Sequence, residues 1–107
     1  MSVIADLERW YESQCDEDWE HAWGVTIGTV DNPGWTVMID LDETYLEGVA
    51  FEPVIDIEPE RDWVRCEVRE HKFIGSGGPR QLERIISTFL GWAREHEAVE
   101  PTAAGRR

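Results

Sequence analysis

Between Arg9 and Arg61 the chain contains no lysine and no arginine, while residues 10–60 carry fourteen acids. A surface built from that stretch repels phosphate backbones and anionic lipid, which argues against nucleic-acid binding and membrane-surface binding. Cysteine is also scarce. Cys15 and Cys66 are far apart and form neither a C-x-x-C pair nor a disulfide framework, a usage that fits a reducing cytoplasm. Long apolar runs are missing, because Asp, Glu or Arg interrupts every stretch before the roughly 20 residues needed to span a bilayer. The N-terminus lacks the charged-then-apolar pattern of a secretion signal. These absences predict a soluble, cytoplasmic chain.

What is present is acid and tryptophan. The formal net charge of the 107 residues is -13, and residues 61–107 hold seven acids against nine bases, so the excess is concentrated in the first part. Such a field accelerates encounter with a basic protein, which is the expected partner. Six tryptophans supply large rings that can close one core despite a mean hydropathy of -0.46. Two cores in so short a chain would each be marginal, so a single domain over residues 1–98 is expected, with a disordered tail over 99–107 that lacks apolar periodicity.

Ile4, Leu7, Tyr11 and Cys15 recur at three- and four-residue steps, predicting an amphipathic helix from Ser2 to Cys15. Trp23, Val25 and Ile27 then alternate with Gly24, Thr26 and Gly28, the pattern of a strand. Asp31-Asn32-Pro33-Gly34 is a turn signal, with proline at the first central position and glycine at the second. Trp35, Val37, Ile39 and Leu41 alternate with Thr36, Met38 and Asp40 in a second strand that sends Asp40 outward. A third strand is expected over 49–58, where Val49, Phe51, Pro53, Ile55 and Ile57 alternate with Glu52, Val54, Asp56 and Glu58, at an edge because of Pro53. A fourth is expected from Trp63 to Ile74. Gly75-Ser76-Gly77-Gly78-Pro79 is then read as a break that opens a final helix, with Leu82, Ile85, Ile86, Phe89, Leu90 and Ala93 on its apolar stripe. The order α-β-β-β-β-α predicts an α+β fold, a four-stranded antiparallel meander covered by its N- and C-terminal helices.

Chemistry-bearing clusters are few. Asp16, Glu17, Asp18, Glu20 and His21 lie close in sequence, but they lack the alternating ligands and central glycine of a calcium loop and the two-histidine spacing of a zinc hydrolase. A small enzyme or metal protein built on Asp18, Glu20 and His21, or on a Cys15 thiol, is the alternative class. No metal and no cofactor is expected, and no nucleophile–base pair stands at a recognisable spacing. The segment from Gly75 to Pro79 resembles an anion cradle but lacks the Lys-Ser/Thr that follows one, so a strand-to-helix turn is the reading. Cys15 and Cys66 are both assigned to the core. Among the tryptophans, Trp23, Trp35 and Trp92 are assigned structural places, whereas Trp10, Trp19 and Trp63 adjoin polar residues and are left between core and contact.

The motif Trp10-Tyr11-x-Ser13-Gln14-Cys15-x-x-Asp18-Trp19-Glu20-His21-x-x-Gly24, followed by Asp31-Asn32-Pro33-Gly34-Trp35, resembles the immunity protein 53 family. Asp62-Trp63, Cys66 and Gly75-x-Gly77-Gly78-Pro79 extend the resemblance over nearly the whole chain apart from the tail. It implies a bacterial cytoplasmic antidote, encoded beside a secreted polymorphic toxin, that inhibits by binding the toxin domain rather than by catalysis. Family members are sometimes labelled rhodanese-like sulfurtransferases. That chemistry requires a catalytic cysteine in a short anion-binding loop, a context that neither Cys15 nor Cys66 has. The expected contacts with a basic, nuclease-type toxin are Asp16, Glu17, Asp18, Asp40, Asp42, Glu43 and Glu47.

Overall fold

The computed structural model describes residues 2–57 and 63–97, so the expected tail at 99–107 lies outside the described residues. The first helix, α1 (Val3–Gln14), begins where the Ser2 hydroxyl accepts the Ala5 N–H at 3.2 Å, and it ends where Cys15 turns extended. Its buried side chains are Leu7 and Trp10, while Ile4 and Tyr11 stay exposed. The stripe that faces the core is thus rotated from the one read in the sequence. Trp10 wins the inward position because its ring packs edge-on against Trp19 and Phe89, with centroids 6.2 and 4.9 Å away.

A single helical turn, α2 (Trp19–Ala22), precedes the sheet and was not expected. The strands are β1 (Val25–Val30), β2 (Gly34–Asp40), β3 (Val54–Asp56), β4 (Val64–Arg69) and β5 (Lys72–Gly77). They form one antiparallel sheet of five strands in the order β1-β2-β5-β4-β3. Two features depart from a four-stranded meander. The stretch from Trp63 to Ile74 is not one strand but the start of a hairpin, because Glu70 and His71 reverse the chain with φ of 54° and 66°. That is the left-handed geometry of a two-residue hairpin turn, normally supplied by Asn-Gly or Gly, so the sequence carries no signal for it. In addition, β2 pairs with β5 rather than β3, so residues 41–53 cross one end of the sheet to reach the far edge.

The third strand is shorter than expected, and its phase is reversed. Val54 and Asp56 share the helix side with Cys66 and Val64, whereas Ile55 points away and is 57% exposed. Phe51, expected in that strand, instead packs from the crossing loop against Phe73 and Trp92, with centroids 5.6 and 5.1 Å away. The turn after β1 occupies Asp31, Asn32 and Pro33, with a cis Asn32–Pro33 bond, and Gly34 is already the first residue of β2, paired with Val30. Glycine is required there by proximity, since a Cβ on Gly34 would overlap the Gly77 carbonyl oxygen. β5 likewise runs on through Gly77, and the last helix, α3 (Leu82–Glu97), starts later than Pro79.

Both long helices cover the same face of the sheet. Val37, Ile39, Val64, Cys66 and Phe73 rise from the strands into a layer made by Ile85, Ile86, Phe89, Leu90, Trp92 and Ala93 of α3 and by Leu7 and Trp10 of α1. Full burial of Phe89 alone contributes about 3 kcal/mol of transfer free energy. Gly75 leaves the space that Ile85 fills, and a Cβ there would overlap its side chain. Leu41 and Leu46, from the crossing loop, close the core at one end. Three indoles tie irregular backbone to this frame: Trp19 donates to Asp42 O, Trp35 to Pro79 O and Trp92 to Ala50 O, each at 2.9 Å. Trp10, Trp19 and Trp92 are buried, which assigns Trp10 and Trp19 to the core, while Trp23, Trp35 and Trp63 are half-buried, Trp23 and Trp35 packing against that core from structural places.

Candidate functional site

The end of the sheet where β1 begins, β2 ends and β5 begins gathers every acid expected to make contacts. Asp16, Glu17 and Asp18 sit between α1 and α2, and the Trp19 indole fastens them to the backbone of Asp42. Asp40 ends β2, and Asp42, Glu43 and Glu47 follow in the crossing loop. A second tie lies where β1 meets β2, the Asp40 N–H donating to Gly24 O at 3.0 Å.

These carboxylates do two kinds of work. Some hold backbone. Asp16 accepts the N–H of Trp19 and of Asp18 at 2.9 and 3.0 Å, and those bonds hold its carboxyl below the usual carboxylate range. Glu20 accepts the N–H of Asp16 and Glu17, and its carboxyl is held low by its own backbone N–H first and by those two as well. Asp40 accepts the Gly24 N–H at 3.0 Å and pairs with Lys72 at 3.1 Å, which raises the lysine's affinity for its proton. Glu47 accepts the Glu43 N–H at 2.9 Å. Others hold nothing: Glu17, Asp18 and Glu43 are exposed, and their side chains accept no hydrogen bond among the described residues.

The backbone here is unusual. Glu17, Glu43, Glu70 and His71 all have positive φ, at 79°, 64°, 54° and 66°, and all four stand at this end. A side chain in that region costs about 1 kcal/mol relative to glycine. Gly48, φ 80°, shows the ordinary solution in the same crossing loop. Glu70 and His71 were missed in the sequence because no turn residue marks them. His71 Nδ1 lies 3.5 Å from Asp42 Oδ2, so the hairpin tip belongs to the same surface.

The motif residues separate along the same line. Trp10 and Trp19 are core. The Gly24 N–H is held by Asp40. Gly34 and Gly77 touch, Trp35 is bonded to Pro79, and Gly78 donates to Trp63 O at 3.0 Å, which makes those six positions fold determinants. Gln14 Nε2 donates to the Ser13 hydroxyl, and Glu20 braces the turn before α2. Tyr11, Asp18, His21, Asn32 and Pro33 are exposed.

The alternative chemistry finds no support in this arrangement. Among the described residues no three His, Cys, Asp or Glu side chains converge as metal ligands. Glu20 and Asp16 are occupied by backbone, and His21 points to solvent. Cys66 is fully buried, and burial pushes its thiol up to about 11. Cys15 is not core but half-buried at the end of α1, its Sγ donating to Tyr11 O at 3.4 Å and three acids following it. An activated thiolate needs the opposite, electropositive surroundings.

Residues 4–94 match the immunity protein 53 family, and the chain belongs to it. No curated protein and no solved structure gives a significant match. Among the described residues no helix is long and apolar enough to cross a membrane.

Proposed function

We propose that this immunity protein is a cytoplasmic antidote that binds a cationic toxin domain, of nuclease type, through the acidic end of its sheet. Family membership supports an inhibitor that acts by binding rather than turnover. The observation that carries the choice of surface is the set of glutamates at positive φ, where glycine is cheaper: Glu17, Glu43 and Glu70 keep a charge at the expense of backbone comfort. Strain held in one region and offset elsewhere marks functional surface more often than scaffold. A nuclease domain must itself be cationic to hold its substrate, so an anionic surface both covers that region and speeds encounter.

The test is binding by purified chain to the C-terminal toxin domain encoded beside its gene. The chain is expected to protect cells expressing that domain and to associate at a rate that falls steeply between 50 and 500 mM salt, on the order of tenfold or more. Reversing Glu17, Asp18 and Glu43 to lysine is expected to slow association at least about tenfold and to flatten the salt dependence. Full protection with unchanged kinetics in that variant rules out this surface.

A further inference from the structure

The sheet has two edges, and only one of them is defended. β3 is three residues long, follows Pro53 and carries Asp56, which is paired with Arg84 at 3.1 Å. Shortness, proline and charge are the usual ways of blunting an edge. β1 has six residues, Val-Thr-Ile-Gly-Thr-Val, with neither charge nor proline. The ladder shows which of its backbone groups are spent. Asp40 donates to Gly24 O and Leu41 to His71 O, so even-numbered residues of β2 bond toward β1 and odd-numbered ones toward β5. Val25, Ile27 and Thr29 therefore turn their N–H and C=O outward, and no described residue meets them.

Beside this edge a groove of about 400 Å³ runs between α1 and β1, walled by Ile4, Leu7, Tyr11, Val25 and Ile27 with Glu8. Ile4, Tyr11 and Ile27 are 49%, 39% and 39% exposed, so three of the large apolar side chains left in water share one cleft. Its surroundings are anionic. Glu12 follows Glu8 one turn along α1, Asp31 stands past one end of β1, and Asp16 to Asp18 stand past the other, next to Trp19, whose ring centroid is 6.0 Å from Tyr11's. Arg9, the one base of α1, is paired with Asp6, which also holds Arg94 of α3.

We propose that β1 is the docking edge: an extended, cationic segment of the toxin domain adds to it as a further strand. Its backbone pairs with Val25, Ile27 and Thr29, alternate apolar side chains enter the groove, and its lysines or arginines reach Glu8, Glu12 and the acidic end. Main-chain bonds supply affinity in such strand addition, and the pockets beside the edge supply selectivity. A second copy of this chain is a poor occupant, because edge-to-edge pairing would set Glu8, Glu12 and Asp31 of both copies against one another. The inference rests on the reading of the chain as an antidote to a cationic toxin.

The probe is the toxin domain encoded beside the gene. Thr29→Pro removes an outward N–H while leaving the β1–β2 ladder intact, since the lost donor is not one the ladder uses. Ile27→Lys puts a cation in the groove. Thr26→Lys, on the opposite face of the same strand, is the control. In the complex, the Val25, Ile27 and Thr29 amides are expected to exchange at least about tenfold more slowly than in the free chain. Thr29→Pro and Ile27→Lys are expected to raise Kd about tenfold or more, mainly through faster dissociation, and Thr26→Lys less than about threefold. Wild-type affinity in both variants, with unchanged exchange at the three amides, overturns the docking edge and leaves the antidote reading standing. If Thr29→Pro fails to fold by circular dichroism, Ile27→Lys and the exchange data decide. A wild-type chain that forms no complex with the toxin domain brings down both readings. A free chain that dimerises, and loses the dimer on Ile27→Lys, assigns the edge to a second copy and overturns the proposal.

Discussion

The two ends of the sheet meet the same demand, a chain that must turn sharply between packed elements, with opposite chemistry. At the end formed by residues 31–35, 63–64 and 75–81, side chains are removed. Gly34 lies against Gly77, Gly78 bonds to Trp63, and the Trp35 indole reaches Pro79. At the other end, side chains are kept where glycine would be easier, and nearly all are acidic: Glu17, Glu43 and Glu70 take positive φ, and Asp16, Glu20 and Glu47 turn their carboxylates onto backbone N–H groups. The first end has one purpose, close approach. The second carries more charge than its caps require, and that surplus, in Glu17, Asp18 and Glu43, is what folding alone leaves without a role.

This contrast is broken most severely at the glycine end. Gly34→Val drives a side chain into the Gly77 carbonyl, and Gly75→Val drives one into Ile85, so each is expected to lower unfolding free energy by about 3 kcal/mol in urea titrations. Toxin-binding kinetics of whatever remains folded should be unchanged. The next largest effect is expected from Trp19→Phe. It keeps an aromatic ring in the core and deletes the bond to Asp42 O, the tie between the two acidic segments, at a loss of about 1–2 kcal/mol in thermal unfolding. Unlike the glycine variants, it should also raise amide exchange at Asp16 to Asp18.

The smallest effect concerns protons. Asp16 and Glu20 have lowered carboxyl pKa values in the fold, so they contribute stability that is present above their unfolded values, near 4, and is lost as pH falls through the folded ones. Asp16→Asn combined with Glu20→Gln keeps an acceptor oxygen at each site and removes both titrations. Stability at pH 7 should fall modestly, because the ionised carboxylates no longer contribute, and the decline below about pH 4 should become shallower. An acid limb as steep as wild type would mean that other carboxylates carry it.

Much of this architecture was legible in the chain itself. Alternation at 35–41 placed Val37 and Ile39 inward and Asp40 outward, the apolar stripe from Ile85 to Ala93 marked α3, and the motif named the family over the residues now matched. What escaped was set by tertiary contact. Nothing local distinguishes Trp10 from Tyr11 as the inward side chain, because the choice depends on Trp19 and Phe89. The β4–β5 turn was invisible because Glu70 and His71 replace the residues that normally announce it. Alternation over 49–57 gave a strand of the wrong phase, since Phe51 answers to Phe73 and Trp92 in the core rather than to a neighbouring strand. The acids of the candidate surface were identifiable from composition. Their division into caps and free charges required the hydrogen bonds.

Whether those glutamates serve a partner instead of the fold is decided by a single variant, Glu17→Gly with Glu43→Gly and Glu70→Gly. Relief of three left-handed side chains is expected to leave the chain as stable as wild type or more stable, by up to about 1 kcal/mol per site. Loss of three charges is expected to slow association with the toxin domain at least about fivefold at low salt. Slower binding by a protein that is no less stable is the predicted result; unchanged association, or a fold that loses stability when the glutamates are removed, contradicts it.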